Sequence, residues 1–121
     1  MKKFFILLFI TICLNASHLK EKDYVSKYCD GTKEVILDDY TRVDCLAEEY
    51  AFEFDFARKW YEAIGQSLYY AMKTNKEAGI YLIVNTLEDN KYVYRARQVC
   101  EKYNIKLVVI YDYGNVEKDF K

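Results

Sequence analysis

Residues 41–74 read TRVDCLAEEYAFEFDFARKWYEAIGQSLYYAMKT. Two different periods meet in that stretch. Thr41 to Leu46 and Tyr50 to Phe56 read as strands around a turn at Glu48-Glu49. In the second of them, aromatic or small residues alternate with acids, as in a strand whose two faces meet different surroundings. From Lys59 to Thr74 the period changes to 3.6. Trp60, Ala63, Ile64, Ser67, Leu68, Ala71 and Met72 fall on one helical stripe, with Glu62, Gln66, Tyr69 and Tyr70 off its centre.

The flanks extend the pattern in both directions. Upstream, Leu19 to Cys29 carries Tyr24, Val25 and Tyr28 at helical spacing, and Asp30-Gly31 is expected to end that helix, since glycine commonly follows one. Glu34 to Leu37 is a short strand and Asp38-Asp39-Tyr40 a turn. Downstream, Gly79 to Val84 is a continuous apolar run of the kind found in buried parallel strands. Asp89 to Tyr103 is a helix with Val93, Ala96, Val99 and Cys100 inward. Lys106 to Tyr111 is a second buried strand. The order is α-β-β-β-α-β-α-β. Strands joined by tight turns pair antiparallel, and strands joined through a helix pair parallel. The expected fold class is therefore α/β with a mixed sheet and helices packed on it.

The N-terminus reads as a secretory signal peptide over residues 1–16. Lys2 and Lys3 are a basic start, Phe4 to Leu14 is almost unbroken apolar sequence, and Ala16 supplies a small residue for cleavage. The apolar run is shorter than the ~20 residues that span a bilayer. The expectation is a single domain over 17–121, periplasmic or secreted, with no stable membrane insertion once the signal is removed.

The whole chain carries 18 Lys+Arg against 19 Asp+Glu. The signal takes two lysines and no acid with it, leaving a net charge of −3. That balance does not suggest bulk electrostatic binding to nucleic acid, which usually shows as a basic surplus, although a local basic patch can still exist. No segment identifies a protein partner.

Cys29, Cys45 and Cys100 remain after the signal. In an oxidising compartment a pair can bridge. Cys29–Cys45 is the expected pair, because the segment between them reads as one hairpin and its flank. Such a loop closure contributes about 3 kcal/mol in the chain-entropy model. Three reduced, buried cysteines are the alternative.

Chemistry based on histidine is excluded, because the only His is His18 at the edge of the signal. No glycine-rich loop that would cradle phosphate is present. What remains is acidic. Glu53 and Asp55 are two apart on one strand and share a face. If the two strands pair about Ala47-Glu48, Asp44 comes close to Glu53. Carboxylates brought together on one face call for a neutralising cation, and Mg²⁺ needs only one or two of them plus waters and substrate phosphate. Ordinary solvated strand acids are the alternative.

Taken together, Thr41-Arg42-Val43-Asp44, Glu53-Phe54-Asp55 and Gln66-Ser67-Leu68-Tyr69-Tyr70 resemble the PD-(D/E)XK nuclease superfamily. The likeness is to its RecB-like branch, with an Asp-ending strand, an acid-x-Lys strand and a helical Gln-x-x-x-Tyr. The chain as a whole also resembles small exported bacterial proteins that carry the same stretch. The resemblance implies a restriction-endonuclease-like core, and a Mg²⁺ or Mn²⁺ ion held by Asp44 and Glu53, helped by the carbonyl of Asp55. It also implies a nucleic-acid phosphodiester as substrate, with Gln66 and Tyr70 orienting a phosphate or a water.

The sequence departs from that pattern at one position. The family's lysine falls at Asp55. Either Lys59 reaches back from the start of the next helix, or Asp55 is a third metal ligand, or the fold persists as a binding or structural module without catalysis.

Overall fold

The computed structural model describes residues 19–113. The signal segment, His18 and residues 114–121 lie outside the described residues. Three helices and five strands follow in the order expected: α1 (Glu21–Tyr28), β1 (Thr32–Ile36), β2 (Arg42–Leu46), β3 (Tyr50–Phe56), α2 (Trp60–Thr74), β4 (Glu77–Val84), α3 (Asn90–Tyr103) and β5 (Lys106–Tyr111). Short 3₁₀ turns at Ala57–Lys59 and Leu87–Asp89 lead into α2 and α3.

The sheet runs β1-β2-β3-β4-β5 in spatial as well as chain order. β1, β2 and β3 meander antiparallel, whereas β3, β4 and β5 are parallel. The mixed sheet follows from connection length, because two tight turns permit only antiparallel neighbours and two helical crossovers return the chain parallel. Alternation along β4 divides the core. Ala78, Ile80, Leu82 and Val84 pack against Trp60, Ala63, Val93, Ala96 and Cys100 of α2 and α3. Tyr81 and Ile83 belong to the other face, with Phe52, Phe54 and Ile110 under Tyr24 and Val25 of α1. α1 thus covers one face of the sheet, and α2 with α3 the other.

Both long helices stop on an asparagine in the left-handed region, Asn75 (φ 53°) and Asn104 (φ 55°). Asparagine tolerates that conformation better than other residues with a Cβ. Gly31 does something else than expected. The chain leaves α1 in an extended conformation at Cys29, and among the described residues no glycine has positive φ. A Cβ at Gly31 would lie 2.3 Å from the Leu46 carbonyl oxygen, so this glycine allows close approach to β2.

Two other readings need correction. The buried stripe of α2 is Trp60, Ala63, Ser67 and Tyr70, while Leu68 and Met72 are exposed. The first half of the stripe is as expected, with Ile64 and Ala71 also against the core; toward the end of the helix the Tyr70 ring packs with Val43 and Ala51 in place of Leu68 and Met72. β5 is only partly covered, Ile110 being its one buried residue. Among the described residues it lies at the sheet edge, with a strand on one side only.

The Cys29–Cys45 disulfide is present, with a Cα–Cα distance of 5.7 Å, and ties the end of α1 to β2. Cys100 is a free, buried thiol. Among the described residues no helix is long and apolar enough to cross a membrane.

Candidate functional site: an acidic cleft where two strands part

The β2–β3 ladder pairs Cys45 with Phe52 and Leu46 with Ala51, and goes no further. One position beyond, side chains take over the main-chain bonds. The Asp44 carboxylate accepts the N–H of Phe54 at 2.9 Å. The Glu53 carboxylate accepts the N–H of Asp44 at 3.4 Å. The strands part there, and the gap opens toward α2.

All six side chains singled out from the sequence line that one opening. Asp44, Glu53, Asp55, Lys59, Gln66 and Tyr70 surround a cleft of about 380 Å³. Glu53 and Asp55 are each only 4% exposed, which is unusual for acids and defines the floor of the cleft. Tyr70 is anchored in the core by its ring, while its hydroxyl lies by the Thr41 side chain and the Arg42 main chain. Gln66, one helical turn before it, is exposed at the rim.

Burial dominates the electrostatics. It is the largest cause pushing the Glu53 carboxyl up to about 9, followed by the charge of Asp44 and a hydrogen bond to it. Asp44 is raised as well, again chiefly by burial. Asp55 is pushed up to about 8 by burial, then by a hydrogen bond to Glu21 and by its charge. Both shifts favour the protonated form of Glu53 and Asp55. The charged form is disfavoured in low dielectric, and two neighbouring carboxylates do not both ionise readily. Tyr70 is raised too, by burial and then by Glu53.

Glu21 is the member of the cleft that the sequence reading missed. It comes from α1, whose packing face lies on the opposite side of the sheet. Its carboxylate sits 3.6 Å from the Lys59 ammonium. Lys59 does lie near Asp55, whose carboxyl it acts to lower. Arg42, Phe54 and Glu62 complete the lining. No spacing signal joins Glu21 to Asp55. The disulfide at one end of α1 and the packing of Tyr24 and Val25 under the sheet hold the helix where Glu21 can reach the cleft.

Among the described residues no group of three or more His, Cys, Asp or Glu side chains is arranged to hold a metal ion. The three-carboxylate set Asp44, Glu53 and Asp55 is thus not gathered as a cage, since Asp55 hydrogen-bonds Glu21 and the N–H of Phe56. Two adjacent carboxylates, Asp44 and Glu53, are the donor set that Mg²⁺ takes when waters and substrate fill its remaining positions.

Compared with known proteins, the chain matches no family model, no curated protein and no solved structure.

Proposed function

We propose that the cleft is a Mg²⁺ or Mn²⁺ site on a restriction-endonuclease-like core, acting on phosphodiesters of nucleic acid in the periplasm or outside the cell. The observation that carries this reading is the interlocked pair of the half-buried Asp44 and the buried Glu53 in an open cleft, with Gln66 and Tyr70 on its wall. A cation held by Asp44 and Glu53 would polarise a phosphate and lower the pKa of a bound water. The remaining parts belong to the chain. The Tyr70 hydroxyl and Gln66 amide, one helical turn apart, orient a phosphate oxygen or the attacking water. Asp55 stands where the resembled family has its lysine, and its raised pKa favours the neutral form, which opposes an incoming phosphate less than a carboxylate would. Lys59 supplies the nearby positive charge. The signal segment and the disulfide support export.

One observation favours the second reading, a binding or structural module without catalysis. The Lys59 ammonium is already paired with Glu21, so the charge that would steady a phosphate is partly neutralised.

A thermal melt of the oxidised mature protein, with and without millimolar Mn²⁺ or Mg²⁺, tests the proposal. A cation that binds only the folded form raises the melting temperature by mass action. The expected result is a rise in the unaltered protein and none in Asp44→Asn. No rise with either cation leaves the non-catalytic module. A rise is then followed by cleavage assays on labelled DNA and RNA.

A further inference from the structure

The two edges of the sheet are built differently. β1 carries the exposed, charged Lys33 and Glu34 in mid-strand. Glu34 has φ 52°, which interrupts the extended backbone. Charge and a local break are devices by which an edge strand avoids a further partner. β5 has neither. Between Lys106 and Asp112 lie Leu107, Val108, Val109, Ile110 and Tyr111, with no charge, no proline and no positive φ. The strand is regular from end to end, paired with β4 from Gly79↔Lys106 to Val84↔Tyr111. Among the described residues no strand lies on its other side. Leu107, Val108 and Val109 are only half-buried there.

We propose that β5 is the surface through which a second copy of this chain extends the sheet, as an antiparallel strand pair about a two-fold axis at Val109. The sequence is self-complementary about that residue. In such a pair Val109 faces its own copy, Val108 faces Ile110, Leu107 faces Tyr111 and Lys106 faces Asp112. Each end therefore meets the opposite charge. A parallel pair in register would instead set lysine against lysine. The faces also agree. The Lys106 ammonium lies over the Tyr50 ring at 4.6 Å, and Asp112 accepts a hydrogen bond from Tyr24, so both belong to the face that α1 covers. An isologous contact of this kind closes as a dimer and does not run on into a fibre. Cross-strand pairs of β-branched and aromatic residues are the units that stabilise it. The acidic cleft lies between β2 and β3, at the other side of the sheet, so each copy keeps its cleft open. The inference does not rest on the metal reading.

Light scattering coupled to size exclusion, on the oxidised mature chain at tens of micromolar, reads the mass directly. The expected mass is twice that of the monomer. Val108→Lys places two lysines beside the axis and should return the mass to that of a monomer, with circular dichroism unchanged. Val109→Cys gives a second reading. Facing Cβ atoms in an antiparallel pair are ~4.5–5.5 Å apart, close enough for a covalent dimer to form on oxidation. Thr32→Cys on the β1 edge should give none. A monomeric mass for the unaltered chain overturns the proposal. So does a dimer that survives Val108→Lys while Val109→Cys fails to cross-link. A chain that becomes dimeric only when residues 114–121 are removed also overturns it, because its own end would then be the occupant of the edge.

Discussion

Asp44 and Glu53 fasten each other's strands: Asp44 accepts the N–H of the residue after Glu53 at 2.9 Å, and Glu53 accepts the N–H of Asp44 at 3.4 Å. The acids that would act in the cleft are therefore also what holds it open at a fixed width. Function and stability are coupled at these two positions, and the coupling separates two substitutions. Asp44→Ala leaves the partly buried Phe54 N–H without its acceptor, which costs about 1–3 kcal/mol. Asp44→Asn keeps an acceptor oxygen and should cost clearly less. Urea midpoints of the two variants check this, and equal losses would mean that the Asp44 hydrogen bond contributes nothing.

The raised carboxyls fix the sign of the pH dependence. Glu53 is held up to about 9 and Asp55 up to about 8 in the fold, above their ordinary values of 4.5 and 3.8. The native state thus keeps protons that the unfolded chain releases. Their contribution is fully present below the unfolded values and is lost as pH rises through the folded ones. Each retained proton changes stability by at most about 1.4 kcal/mol per pH unit within that window. Melting temperature should fall from about pH 5 to about pH 9 and level off beyond, since the folded acids have then ionised as well. If the proposed Mn²⁺ site forms, the cation competes with those protons, and its stabilising effect should grow over the same range. A melting temperature that rises with pH in the metal-free protein would contradict the assignment of protons to Glu53 and Asp55.

The disulfide joins α1 to β2 next to the cleft, Cys45 being the neighbour of Asp44 in sequence. Closing a loop of this size contributes about 3 kcal/mol in the chain-entropy model. Reduction, or Cys29→Ser with Cys45→Ser, should lower the urea midpoint accordingly. Hydrogen exchange should rise first in α1, which has few other anchors. Among them are the Tyr24 hydroxyl to Asp112 at 2.9 Å, the Lys33 ammonium to the Ser26 carbonyl at 3.0 Å, the Glu21–Lys59 pair, and the Tyr24 and Val25 side chains under the sheet. Uniform loss of protection across the sheet would mean that α1 is not a separable unit.

The order of elements was legible because each period is long enough to count. Tyr50–Phe56 alternates over seven residues, α2 repeats over fifteen, and β4 is apolar where a doubly covered strand must be. The pairing of Asp44 with Glu53 followed from the short turn between their strands. Three features were not legible, each for a physical reason. The Tyr70 ring lies inward although Leu68 and Met72 are the more apolar side chains, because packing between Val43 and Ala51 outweighs hydrophobicity. Gly31 looked like a helix terminator, whereas what requires glycine is the close approach of Leu46, a contact distant in sequence. Glu21 sits on an element of the other face, and no local pattern records that α1 reaches round to the cleft.

Glu21 is consequently the residue whose removal separates the two functional readings. Its pair with Lys59 at 3.6 Å is between half-exposed side chains, worth about 0–1 kcal/mol, so Glu21→Gln should leave the melting temperature nearly unchanged. Two other quantities should move. Asp55 loses a repelling charge, which lowers its pKa and makes the decline of stability with pH shallower. The Lys59 ammonium loses its counter-charge and becomes available to a phosphate. If Lys59 is the displaced cation of the site, Glu21→Gln should increase binding of a labelled oligonucleotide in Mn²⁺. Adding Lys59→Ala should abolish that increase. Binding that is indifferent to both changes would leave Lys59 a surface lysine and remove the main support for a repaired catalytic centre.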